Sequence, residues 1–176
     1  MTDFRRYRVR GGRYFFTVNL AVRRLSLLTD HIESLRAAFR GVRRARLFAI
    51  DAMVVLPDHL HAMWQLPEED DDLGLRWRQI KSAYSRGIEN GERISRSRQR
   101  KNERGIWQRR YWEHAIRDED DFAHHLDYVH YNPVKHGLVQ RVQDWPCSSF
   151  HRYVRKGIYP ADWAGEGLIE LSDAGE

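Results

Sequence analysis

The chain has 176 residues, a formal charge of +5 and a single cysteine, Cys147. The length suits one domain with a buried core. One cysteine excludes an internal disulfide and a cysteine-built zinc site, so any metal would sit on histidine, carboxylate or amide oxygen. No apolar run approaches the ~20 residues that span a bilayer, and the arginine-rich start lacks the apolar segment of a secretory signal. The expectation is a cytoplasmic, nucleoid-associated protein with no membrane contact.

Charge is unevenly spread. Residues 1–50 carry 12 basic and 3 acidic side chains, and residues 76–110 carry the same numbers. Residues 51–75 carry 7 acidic and no basic side chains, and residues 111–176 carry 6 basic and 12 acidic. The two basic blocks, almost all arginine, suit a phosphate backbone; a solvated arginine-rich surface is the alternative.

In chain order, Arg13 to Leu20 is aromatic and β-branched and reads as strand one. Thr29 or Asp30 caps a helix to about Arg44, with Ile32, Leu35, Ala38, Phe39 and Val42 at helical spacing. Leu47 to Leu56 and His59 to Leu66 read as strands two and three, joined by a tight Pro57-Asp58 hairpin. Leu73 to about Ile88 is a second helix. Stretch 93–105, rich in arginine and serine, reads as a mobile loop that orders on nucleic acid. Ile106 to Arg117 reads as strand four with its lead-in. Asp118 caps a third helix that Asn132-Pro133 interrupts. The order β-α-β-β-α-β plus a helix fits an α+β, ferredoxin-like (RRM-like) antiparallel sheet with an added C-terminal helix. One domain is expected over residues 1–163, with residues 164–176 a frayed tail.

Strand side chains alternate, so His59 and His61 share a face. They can share a metal ion, or they can be two polar residues on a solvent face. The third helix supplies further candidates. At about 100° per residue, Phe122, Leu126 and Val129 form a core stripe. His125, Tyr128 and Asn132 lie on one flank of it, and Tyr131 points directly away. Tyr128 is therefore the better candidate to face the histidines. Asn132 either offers an amide oxygen to the metal or caps the helix that Pro133 would begin. Two imidazoles and an amide oxygen suit Mg²⁺ or Mn²⁺.

Three stretches, Pro57-Asp58-His59-Leu60-His61, the run from His124 to Val139, and the ending Trp145 to Phe150 with Tyr159 to Trp163, together resemble the REP-associated tyrosine transposases. These are single-tyrosine His-hydrophobic-His nucleases related to IS200-like transposases. The resemblance implies a ferredoxin-like fold, a divalent metal on His59 and His61, Tyr128 as nucleophile and, by analogy with insertion-sequence relatives, Asn132 as third ligand. It also implies action on single-stranded DNA hairpins of repeated extragenic palindromes, a 5′-phosphotyrosine intermediate, and a monomer. One departure is stretch 93–105, longer and more basic than the family pattern.

Candidate DNA contacts are Arg5, Arg6, Arg8, Arg10 and Arg13 on the hairpin stem, Arg78, Lys81, Arg109 and Arg110, and Trp77, Trp107 and Trp112 as base-stacking platforms. Two other readings stay open: a non-catalytic RRM-like nucleic-acid-binding module, and a metal-dependent nuclease that activates water while Tyr128 only packs.

Overall fold

The computed structural model describes residues 8–165. Arg5, Arg6 and nearly all of the tail expected to fray lie outside the described residues. Strands β1 (Arg13–Asn19), β2 (Ala49–Val55), β3 (His59–Gln65) and β4 (Trp112–Ala115) form one antiparallel sheet in the order β2-β3-β1-β4. The helices are α1 (Leu27–Asp30), α2 (Ile32–Ala45), α3 (Leu73–Arg86), α4 (Arg96–Gln99), α5 (Glu119–Lys135) and α6 (Phe150–Arg155). Element order and strand order together are the ferredoxin-like arrangement expected from the sequence. No helix among the described residues is long and apolar enough to cross a membrane.

Strand β1 explains the layering. Tyr14, Phe16 and Val18 alternate with Phe15 and Thr17, and all five are at most 1% exposed. A strand apolar on both sides has to be covered on both sides. On one face Tyr14, Phe16, Leu60 and Trp64 pack with Leu35 and Phe39 of α2 and Trp77 and Ile80 of α3. Trp64 and Trp77 stack there with centroids 4.3 Å apart. On the other face Phe15, Val54 and Met63 pack with Leu126, Tyr128 and Val129 of α5 and with Phe150, Tyr153 and Tyr159. The C-terminal segment also covers the free edge of β2: Ser148 bridges Val54, and the Ser149 hydroxyl accepts from Met53 N at 2.9 Å. This protects an edge that would otherwise pair with another chain.

The local signals are mostly where the residues place them. Pro57-Asp58 makes the hairpin, with Leu56 N donating to His59 O at 2.9 Å. Asp72 caps α3 and Asp118 caps α5 through side-chain bonds to Leu75 N and Asp121 N. The first helix differs. Thr29 donates back to Ser26 O instead of capping, and the chain breaks at His31 into α1 and α2. Strand four is also shorter than expected, because only Trp112–Ala115 pairs with β1.

Stretch 93–105 is not an unpartnered loop. Arg104 donates to Glu92 through Nε and Nη2, and to the carbonyls of Ser85, Ile88 and Glu89. Arg98 donates to Arg104 O and Trp107 O, and Arg109 binds Glu103 and Ser97. Hydrogen bonds from Arg104 hold the Glu92 carboxyl down to about 2. The side chain is thus ionised at neutral pH, and the ionic part of the clamp is lost only as pH falls from about 4.5 toward 2. Arg98 and Arg104, which composition assigns to phosphates, here donate to carbonyls within and flanking the stretch, including the end of α3.

Arg104→Ala removes these bonds together and leaves the Glu92 carboxylate without its cation and the part-buried Ile88 carbonyl without its guanidinium donor. Hydrogen exchange of the amides in 88–105 is expected to quicken about 10-fold or more relative to those of β1 and β3. Unchanged exchange would contradict the clamp.

Candidate active site

Strand β3 carries His59 and His61 onto the face covered by α5, with Thr17 opposite His61 and Asn19 opposite His59 across the β1 pairing. They are 1% and 0% exposed, which overturns the reading of a solvent face. Each ring has one nitrogen committed and one not. His59 Nδ1–H donates to Asp58 Oδ1 at 2.7 Å, and Asp58 is held in turn by Arg23 Nε at 2.7 Å. His61 Nδ1 lies 3.0 Å from Thr17 Oγ1. Nε2 of both rings is buried without a hydrogen-bond partner. Burial pushes both imidazoles below their usual pKa, against the pull of Asp58 on His59, and His61 falls well below. Burial would raise Asp58, but hydrogen bonds from Arg23 and His59 outweigh it and keep the carboxyl ionised. The result is two neutral rings with fixed orientation and Nε2 lone pairs available.

Helix α5 brings the rest. It runs unbroken from Glu119 to Lys135 through Pro133. Pro133 has no N–H to give to Val129 O, but the helix continues past it to Lys135, with His136 N bonded to Asn132 O, and Leu138 N returns to Pro133 O to close the C-terminus at Gly137. Asn132 is therefore interior to the helix and caps nothing. It is 0% exposed, its amide reaches the His61 side chain, and neither Oδ1 nor Nδ2 completes a hydrogen bond. Orphaned buried polar atoms are rare because each costs about 1–3 kcal/mol. Here His59 Nε2, His61 Nε2 and Asn132 Oδ1 are orphaned together. This donor set fits a divalent cation, with Asp58 fixing the tautomer of His59 and Thr17 the ring orientation of His61.

Tyr128 lies one turn before Asn132, with its ring 5.2 Å from that of His61 at 72°. Lys135 Nζ donates to its phenol oxygen at 3.3 Å and sits 4.9 Å from its ring centroid. His136 brings a third imidazole to 5.0 Å from His59. A cavity of about 260 Å³ opens beside His59, lined by Arg23, Arg24, Ser26, Asp58 and His136 among others. Asp58, Thr17, Lys135 and His136 were not singled out from the sequence. Lys135 was within reach of it: position i+7 from Tyr128 returns to the same helix face.

Tyr128 and Tyr131 lie on different sides of α5, as helical spacing requires. Tyr131, opposite the core stripe, is nevertheless half-buried against Gly165 and the C-terminal aromatics. A second packing layer on the far side of α5 was not visible in helical periodicity. His125 does not touch the histidine pair directly. Phe15 separates them, stacked on His61 at 5.4 Å and tilted 51° to His125 at 4.8 Å.

Of the proposed DNA contacts, Trp77 and Trp107 are 1% and 5% exposed and belong to the core, so they offer no face to a base. Trp112 is half-buried, stacked on His114 at 5.9 Å. Lys81 donates to Gln108 O, and Arg109 is engaged within its loop. Arg13 pairs with Glu119 and Asp51, and Arg10 with Glu69. Arg8, Arg78 and Arg110 are exposed.

Comparison with known proteins agrees with this architecture. A family model described as Transposase IS200 like matches residues 12–132. The chain is 50% identical over 168 residues to the REP-associated tyrosine transposase of Escherichia coli (strain K12), covering 94% of this chain and 93% of that one. It is 48% identical over 172 residues to a Haemophilus influenzae protein named as a putative REP-associated tyrosine transposase, covering 97% and 98% of the two chains. It also resembles the solved structure of a REP-associated tyrosine transposase bound to a REP hairpin, with a TM-score of 0.85 and 49% identity over 100% of this chain and 98% of that one.

Asp58→Asn keeps the shape but weakens the partner that orients His59. The affinity for Mn²⁺, measured by calorimetry, is expected to fall 10- to 100-fold. Unchanged affinity would show that Asp58 does not set the ring.

Proposed function

Because this chain belongs to the IS200-like transposases, as a REP-associated tyrosine transposase, we propose that it cuts and rejoins single-stranded DNA beside a hairpin, using Tyr128 as nucleophile and a divalent cation, Mg²⁺ or Mn²⁺, held by His59, His61 and Asn132. The observation that carries this reading is the convergence of three orphaned buried donors next to one tyrosine whose oxygen faces an ammonium group.

A cation bound there supplies Lewis-acid polarisation of the scissile phosphodiester. The remaining work falls to side chains. Tyr128 Oη gives up its phenol proton and attacks phosphorus, an O–P bond forms, the bond from phosphorus to the 3′-oxygen breaks, and the 3′-oxygen takes up one proton by way of solvent and leaves as a free 3′-OH, so that no net proton is gained or lost. The phosphate stays on Tyr128 as a 5′-phosphotyrosine ester, and attack by another 3′-OH reverses the sequence and rejoins the strand. Lys135 places positive charge at the oxygen through which the ester forms and breaks. Asp58 and Thr17 keep the His59 and His61 rings in the orientation that leaves Nε2 inward. The cavity lined by Arg23, Arg24 and His136 gives a phosphate backbone a basic approach beside His59. The hairpin substrate is inferred from the relative solved with a REP hairpin.

The binding-module reading is less well supported. RRM-like modules stack bases on exposed aromatics of the central strands, whereas Tyr14, Phe15 and Phe16 of β1 are 0–1% exposed beneath helices on both faces.

Labelled single-stranded hairpin DNA and Mn²⁺ test the assignment. Wild type and Tyr131→Phe are expected to form a covalent protein–DNA adduct on denaturing gels, and Tyr128→Phe none. Cleavage without adduct by wild type and Tyr128→Phe alike would favour water activation instead. Lys135→Met is expected to slow adduct formation about 100-fold while hairpin affinity changes only a few-fold. An unchanged rate would remove Lys135 from the chemistry.

A further inference from the structure

Beyond Phe15, on the side away from His61, lies a second cluster that the proposed reaction does not use. His114 of β4, and Asp121 and His125 of α5, each present a ligand atom, and the three atoms lie within 4.8 Å of one another. The Asp121 carboxylate accepts at Oδ2 from the Arg117 backbone N–H that precedes α5 and from His114 Nε2, both at 2.9 Å, while Oδ1 lies 3.0 Å from His125 Nδ1, which also lies 2.8 Å from the Asp121 backbone oxygen. The two rings stack at 4.7 Å and 15°, so their nitrogens approach the carboxylate side by side. The residues i and i+4 on α5 bring Asp121 and His125 to one face, and the β1–β4 pairing places His114 opposite Phe15.

We infer that His114, Asp121 and His125 form a second metal site, distinct from the His59–His61 pair, that takes a borderline cation such as Zn²⁺. Two imidazoles and one carboxylate, with a fourth ligand from solvent, suit Zn²⁺ in tetrahedral coordination. Coordination replaces the contacts that His114 Nε2 and His125 Nδ1 make with Asp121, including the one from His125 Nδ1 to the Asp121 backbone oxygen. The metal-binding tautomers carry their proton on Nδ1 in His114 and on Nε2 in His125. The His114 side chain is 28% exposed and that of His125 is 19% exposed, which leaves solvent access for entry and for a fourth ligand. The competing cation is Arg117, whose Nε lies 3.2 Å from Asp121 Oδ2 on a side chain that is 74% exposed and free to swing outward. The Arg117 backbone N–H, at 2.9 Å, holds the same oxygen in place without blocking a lone pair on Oδ1.

The consequence is mechanical. β4 is an edge strand of only four residues, Trp112–Ala115, and it borders the helix that bears Tyr128. An ion joining His114 to Asp121 and His125 ties that edge to the first turns of α5, and so fixes the approach of Tyr128 to the sheet. This inference does not rest on the role given to His59 and His61.

Zn²⁺ retained after dialysis of the full chain, measured by elemental analysis, tests it. His59→Ala/His61→Ala is expected to keep one equivalent and to gain about 5 °C in Tm at Zn²⁺ ~100-fold above Kd. Adding His114→Gln to that background should abolish both effects. In the otherwise wild-type chain, His114→Gln should bind one equivalent fewer than the parent, which keeps the test valid if the double-alanine protein folds poorly. Equal Zn²⁺ stoichiometry in wild type and His114→Gln would overturn the site.

Discussion

Two imidazole nitrogens held in a dry seam without a protein partner are the feature on which the rest of the structure depends. Leaving His59 Nε2 and His61 Nε2 buried and unsatisfied costs free energy that a folded chain of this size can ill spare. The surrounding residues maintain that state. Asp58 and Thr17 bind the Nδ1 side of each ring, burial keeps both rings neutral, and Asn132 adds an equally orphaned amide from across the seam. A packing solution alone would have used apolar residues here, as it does at the neighbouring Ala62, Met63 and Trp64.

The sheet makes the seam possible because it is covered on both faces. α2 and α3 close one side in the ordinary way of this fold. α5 closes the other, and it delivers Asp121, His125, Tyr128 and Asn132 along one line of positions, with Lys135 near its end. The C-terminal aromatics then press α5 onto the sheet from behind, through Phe150, Tyr153, Tyr159 and Trp163. The proposed transfer to Tyr128 would require its oxygen to be held close to the proposed metal ligands, and a helix clamped from two sides meets that need better than a loop.

Much of this was readable in the residues, and what was not has definite causes. Two-residue alternation put His59 and His61 on one face, and helical spacing put Tyr128 and Asn132 together. Both depend only on local geometry. Local geometry also misled at Asn132-Pro133, where a proline late in α5 costs one hydrogen bond but does not end the helix. Tyr131 and the buried tryptophans Trp77 and Trp107 depend on layers contributed by distant segments, which no periodicity records. Composition alone makes stretch 93–105 a free basic loop, yet Arg98 and Arg104 donate to carbonyls of the stretch and of the end of α3, and Arg109 to Glu103. The His114–Asp121–His125 cluster was invisible for the same reason: it forms only when an edge strand is laid beside the start of a helix.

The central claim is that the orphaned nitrogens are metal ligands. Crystals soaked in Mn²⁺ and measured for anomalous scattering test it most directly. The account predicts a peak about 2.0–2.3 Å from Nε2 of both His59 and His61 and within reach of Asn132 Oδ1. A well-ordered map with no peak between those two rings, or with both Nε2 atoms bonded to protein groups instead, would contradict it.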